Sequence, residues 1–345
     1  MELPNHRKME ILKAVIEDYI ATAVPVGSRT IARRYMSGLS AATIRNEMAD
    51  LEDMGYLTQP HTSAGRIPTD KAYRMYVDRM LEIKPLDEEQ NNAVREVFFR
   101  HMDEMEQVIR KTAQIISDLT QYTSLVLAPQ MRRTTLRRIQ LVPINREMAL
   151  VVIVTDAAVV KDAVIRIPEG MDINRLDAIS RMMTERFAGH SIADVDIFLM
   201  EGLERDIRQY RRFFTDLMNA MGDSILQPDW KDLVMEGAIN IFNFPEYRDI
   251  ERARSFLTML ETREKLYRIL ARRTKMETAI TIGDENEDKE LKDCSVVTAT
   301  YRVAGRPMGS IGVIGPTRME YGHVVGVLDL IGRNLGELIS LYIDE

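Results

Sequence analysis

Three short helical periods, broken at Pro25-Val-Gly27, at Ser37-Gly38 and at Gly55, occupy the first 55 residues and restrict what this chain can build. Ile11, Leu12, Val15, Ile16, Tyr19 and Ile20 recur at three/four spacing and give residues 7–22 one apolar helical face. Pro25 and Gly27 end that helix, and Ser28 suits the N-cap of a second, short helix over residues 29–35. Ser40 can cap a third helix running to about Met54, with Gly55 where a left-handed glycine terminates it. Tyr56-Leu-Thr-Gln59, a polar tip containing Ser63, Gly65 and Arg66, and then Ile67-Pro68 predict a small hairpin, after which residues 70–81 return to helix.

The third helix is the informative element. Ile44, Met48 and Leu51 fall on one side and predict packing against the first two helices, which turns Ala42, Thr43, Arg45, Asn46 and Ala49 outward. Small residues let a helix sit deep in a major groove, and Arg and Asn suit bidentate contact with guanine and adenine edges. From Tyr19 to Asn46 the basic residues are Arg29, Arg33, Arg34 and Arg45, with no carboxylate among them, in a chain whose net charge is −7. Binding to nucleic acid must therefore come from local segregation of charge. Ser28, Thr30 and Ser40, at helix starts, suit phosphate contact through hydroxyls and free backbone N–H groups. The hairpin tip, His61, Thr62, Ser63 and Arg66, suits a wing touching a minor groove or the backbone. Helix-turn-helix geometry also serves protein contacts, and that reading stays open here.

Beyond Pro85 the texture changes twice. Residues 87–122 place Val94, Phe98, Met105, Val108, Ile115 and Leu119 on one helical stripe, interrupted by His101 and Thr112, which predicts one long helix buried against its own domain or a partner. Residues 136–167 carry β-branched runs that predict strands. Helical periodicity returns at 173–187, 203–221 and 250–270, with Pro228, Trp230 and Pro245 in less regular stretches. The acidic tract 284–290 reads as a solvated loop, 295–303 and 308–314 as a hairpin, and 321–343 as a closing helix. Strands, then helices, then strands are the order expected when a helical piece interrupts an α+β domain.

At 345 residues the chain has room for two or three domains, and 45% apolar residues supply real cores. The single cysteine, Cys294, excludes an internal disulfide framework and a cysteine-rich zinc site. No apolar run approaches the length of a membrane helix and the start lacks an apolar signal segment, so a cytoplasmic protein without membrane contact is expected. The five histidines, at 6, 61, 101, 190 and 323, show no metal-ligand spacing, and no nucleophile-elbow, phosphate-loop or kinase signature is present. Gly309, Gly312 and Gly315 lie inside a strand pattern, where bulges or close packing explain them better than a dinucleotide site does. The expectation is a protein without cofactor, metal or catalytic activity.

Three segments carry a resemblance: Pro25-Val-Gly-Ser-Arg-Thr30, Ser40-Ala-Ala-Thr-Ile-Arg-Asn-Glu-Met-Ala-Asp-Leu-Glu52 and Gln59-Pro-His-Thr-Ser-Ala-Gly-Arg-Ile-Pro-Thr-Asp70. A distant fourth is Ser310-Ile-Gly-Val-Ile-Gly-Pro-Thr-Arg-Met-Glu-Tyr321. Together they resemble HrcA, the family of heat-inducible transcription repressors, over essentially the whole chain. The resemblance implies an α+β multidomain fold: a winged helix-turn-helix over residues 1–83, a GAF-like α+β domain in two parts, 87–168 and 256–345, and a dimerising domain, 169–255, inserted into it. It also implies a homodimer on double-stranded DNA, at an inverted-repeat operator called CIRCE upstream of chaperone operons. Repression would be relieved by heat and modulated by the chaperonin GroEL. A regulator sensing a small molecule through its GAF-like domain is the alternative.

Overall fold

The computed structural model describes residues 4–61, 65–99, 105–129, 135–156, 160–168, 170–190, 213, 232–273 and 277–344. Its mixed α+β architecture contains two larger antiparallel sheets and a small N-terminal hairpin.

The N-terminal elements are α1 (His6–Thr22), α2 (Ser28–Arg34), α3 (Ala41–Asp53), the paired strands β1 (Leu57–Thr58) and β2 (Ile67–Pro68), and α4 (Asp70–Arg79). They fall where apolar spacing and the glycine breaks predict. Ile11, Leu12, Val15 and Ile16 of α1, Ile31 of α2 and Ile44, Met48 and Leu51 of α3 close one buried core. Gly55 follows α3 at φ 78°, a conformation an L side chain resists.

Within the stretch 87–122 the described residues are helical over α5 (Glu88–Phe99) and α6 (Met105–Thr120); residues 100–104, His101 among them, lie outside the described residues. Thr112 does not interrupt the buried stripe, because its hydroxyl donates back to the Val108 carbonyl at 2.8 Å. Next come β3 (Thr123–Leu127), β4 (Leu136–Pro143), β5 (Met148–Thr155), β6 (Val160–Arg166), α7 (Ile173–Phe187) and β7 (Leu233–Glu236). The helix expected over 203–221 and the Trp230 region lie outside the described residues, apart from Phe213, which is buried in the core beneath α7. The expected helix at 250–270 is two, α8 (Ile250–Glu261) and α9 (Arg263–Arg273), because Thr262, at φ −82° and ψ 70°, leaves helical geometry. Then follow β8 (Thr278–Ile282), β9 (Cys294–Val303), β10 (Arg306–Pro316) and α10 (Tyr321–Asp344).

Strands pair antiparallel in the order β7-β3-β10-β9-β8. This sheet is covered on both faces. Val126, Val297, Ile311 and Val313 face α6 and α10, while Leu125, Leu127, Val296 and Ile314 face α8 and α9. A sheet buried on both faces needs near-continuous apolar strands, and every residue of β3 is buried.

A second sheet, β4-β5-β6, packs one face on α7 and forms its own core from Ile139, Leu141, Val151, Ile153, Met183 and Phe187. Thr184 and Ser180 of α7 accept hydrogen bonds from the Ile139 and Leu141 amides, at 3.0 and 2.9 Å, which satisfies two donors of β4. Among the described residues, strand pairing thus separates β4–β6 with α7 from the five-stranded sheet and returns β7 to it.

The acidic tract is not a free solvated loop. Glu285 is chelated by Arg74 of α4, and the Asp284 amide donates to Asp70 at 3.1 Å. The segment between α4 and α5 lies along α10, where Gly322 and Gly326 admit the Glu82 and Lys84 carbonyls; a Cβ on either glycine would collide with them. The helical head is therefore seated on the body, and its apolar core continues into that of α6 and α10.

Candidate nucleic-acid interface

Ser40 caps α3, its hydroxyl accepting from the Thr43 amide at 3.1 Å and lying 2.9 Å from the Thr43 hydroxyl. Beneath the helix Ile44, Glu47, Met48 and Leu51 are buried, while Ala42, Arg45 and Asn46 are exposed and Thr43 and Ala49 are half-buried. Ala42, Arg45, Asn46 and Ala49 follow one helical stripe, which leaves a narrow outward face of two small residues flanking a guanidinium and an amide. Those are side chains that can enter a groove and meet base edges.

Arg29 and Arg33 are exposed on α2 and, like Arg45, form no ion pair among the described residues. Arg34 differs. Its Nη1 donates to Asp18 at 2.9 Å, and Asp18, on α1, is itself buried. The Tyr35 hydroxyl donates to the same carboxylate at 3.4 Å, and burial together with Asp18 pushes that phenol up from its ordinary pKa. Ser28 is the first helical residue rather than the N-cap, which is Gly27, and its side chain is buried. Thr30 is half-buried in the first turn of the helix.

The hairpin is anchored at its base. Val26 and Arg66 exchange backbone hydrogen bonds at 2.8 and 2.9 Å, with Gly65 pressed against the Val26 carbonyl so closely that a Cβ would collide. The Arg66 guanidinium turns back to Glu52 in the last turn of α3, at 2.7 Å. It ties the hairpin to the helix instead of extending beyond it. His61 is exposed; Thr62 and Ser63 lie outside the described residues.

Sequence reasoning missed the carboxylates that hold this surface together. Glu47 lies on the buried side of α3 and pairs with Arg7 and with Lys8, the latter at 2.8 Å; Lys8 also reaches Asp50 at 3.0 Å. The Lys8 hydrogen bond leads the effects that hold the Glu47 carboxyl below the usual range, against the opposing cost of burial. The available signal was the helical position of Glu47, one residue before Met48 and three after Ile44, which puts it on the packed stripe.

Other sites carry less. A groove between β9 and α10 is lined by Arg302, Asp329, Arg333 and Glu337, and Arg333 pairs with Asp329 within it at 2.7 Å. Cys294 is buried beside the Tyr247 hydroxyl at 3.4 Å, and burial pushes its thiol up to about 11. No group of three His, Cys, Asp or Glu side chains suited to a metal ion occurs among the described residues. No helix among them is long and apolar enough to cross a membrane.

Residues 106–325 match the family model described as the HrcA protein C-terminal domain. The heat-inducible transcription repressor HrcA of Alkaliphilus metalliredigens is 40% identical over 97% of this chain and 98% of its own length. That of Pelotomaculum thermopropionicum is 41% identical over 97% of each. A solved crystal structure of a protein described only as hypothetical, 24% identical, superposes with a TM-score of 0.63 over 98% of this chain and 99% of its own, a likeness of fold. With such relatives matched from end to end, this chain belongs to the HrcA family of heat-inducible transcription repressors.

Proposed function

We propose that α1 to β2 form a winged helix-turn-helix whose α3 enters the major groove of an operator half-site. Ala42, Thr43, Arg45 and Asn46 meet base edges there. Arg29, Arg33 and Arg34 contact phosphates, helped by Thr30 and Ser40, while Ser28 acts through its backbone at the start of α2. His61, Thr62 and Ser63 form the wing, held in place by Arg66. The observation that carries this reading is the outward face of α3, small residues around Arg45 and Asn46, set beside Arg29 and Arg33 on α2, which form no ion pair among the described residues.

The chain acts as a homodimer on an inverted repeat of the CIRCE type, because two-fold protein symmetry requires two-fold DNA symmetry. Its GAF-like domain is the five-stranded sheet with its covering helices, and the β4–β6 sheet with α7 belongs to the inserted domain. Occupation of promoter DNA represses chaperone operons in the cytoplasm, heat relieves it, and the chaperonin GroEL modulates the DNA-competent state. Selection from random duplex DNA tests this. An enriched inverted repeat is expected; no enrichment, with or without chaperonin, would refute it.

A further inference from the structure

The segment Ser310–Tyr321 carries the distant part of the sequence resemblance, yet it contributes nothing to the outward face of α3. Near its end Arg318 lies between β10 and α10 with its side chain 11% exposed. Its Nε donates to Glu246 Oε1 at 2.7 Å and its Nη2 to Oε2 at 3.3 Å, while Nη1 donates to the Ile20 carbonyl. The guanidinium also lies over Phe244, 5.8 Å from the ring centroid, and Phe244 stacks on Tyr122 at 5.2 Å.

These partners come from three parts of the chain. Ile20 is in the last turn of α1, within the helical head. Glu246 lies in the turn that follows β7, the strand by which the chain returns to the five-stranded sheet. Arg318 belongs to the connection between β10 and α10 on the body. The last carbonyls of a helix lack intrahelical donors and favour a cation. A guanidinium, with five N–H donors in a fixed fork, can chelate a carboxylate and hold such a carbonyl at once. On the other side of the head, Arg74 and Asp70 clamp α4 to residues 280–285.

We propose that Arg318 is a positioning residue for operator recognition: by joining Ile20 to Glu246 it fixes the pose of the head on the body, and so the separation of the two α3 helices in a dimer. This rests on the dimeric, operator-binding reading. A dimer gains its second half-site intramolecularly, and the gain vanishes when geometry does not match the spacing of the DNA. A loosened head keeps its own half-site affinity but presents a spread of separations.

The test uses the full chain as wild type, as Arg318→Met and as Arg318→Met/Glu246→Gln, the double variant removing the carboxylate that the single one leaves unpaired. Binding is measured to the selected inverted repeat, to one half-site, and to repeats with the spacer changed by about one or two base pairs. We expect half-site affinity within about twofold of wild type, full-site affinity reduced about tenfold or more, and a flattened spacer preference. If neither variant folds, Arg318→Lys carries the same readout, since one ammonium cannot chelate Glu246 with two nitrogens while holding Ile20. A folded variant that keeps the wild-type full-site affinity and spacer preference overturns the proposal, as does equal loss on half-site and full site. A wild type that does not prefer two half-sites over one overturns the dimeric reading, and this role with it; that failure shows in the unmodified chain.

Discussion

Glu47 of α3 and Lys8 of α1 meet at 2.8 Å beneath the outward surface of α3, joining the N-terminal turn of the first helix to the third. Lys8 and Arg7 hold the Glu47 carboxyl below the ordinary carboxylate range. A depressed folded-state pKa contributes stability that is present above the unfolded value and is lost as pH falls through the folded one. Denaturant titrations of wild type and Glu47→Gln between neutral pH and the carboxylate range should therefore converge as pH falls. Parallel curves would contradict the pairing.

Arg33 and Arg34 are neighbours in sequence but not in electrostatic state. Arg34 is already neutralised by Asp18 at 2.9 Å. Arg33→Ala should weaken binding to all duplex DNA alike and reduce the salt slope by about one unit. Arg34→Ala should reduce it by less. Salt titrations of both variants on random DNA check the order.

Arg66→Ala should act on stability before it acts on DNA. Its guanidinium is committed to Glu52, and both side chains are partly exposed. We expect a loss of about 1 kcal/mol in chemical denaturation. A drop in DNA affinity with unchanged stability would return Arg66 to the wing.

Gly326→Ala places a methyl group against the Lys84 carbonyl. Overpacking of this kind costs about 1–3 kcal/mol, because the obstacle is backbone that can yield only by moving the connection between α4 and α5. Thermal unfolding measures the loss, and an unchanged midpoint would mean that this connection does not rest on α10.

Cys294 should resist thiol reagents in the native protein at mildly alkaline pH and react once the chain is unfolded, since burial pushes its pKa up to about 11. Fast native labelling would contradict the burial.

Much of the head was legible in the sequence because its signals are local. The i, i+3, i+4 spacing of Ile44, Met48 and Leu51 sets the face of α3, and Ser40 and Gly55 set its ends. What stayed hidden depends on pairing across long separations. The Arg74–Glu285 clamp spans 211 residues, and it converts an acidic tract that reads as solvated into a docking contact. Asp18 lies one residue before the stretch free of carboxylates and pairs with Arg34 sixteen residues later, so a charge count by segment overstates the basic surface. Strand pairing within the body was illegible for a related reason. β-branched runs announce strands but not partners, and β3 and β7 pair across more than a hundred residues while, among the described residues, β4–β6 pair with one another.

The most direct test of the central claim, that α3 reads sequence, is the affinity ratio between the selected inverted repeat and random duplex for wild type and Arg45→Ala across a range of salt. Loss of a base contact should lower that ratio by about 1–3 kcal/mol while binding to random DNA changes little. Equal losses on both DNAs would assign Arg45 to the phosphates and contradict the account.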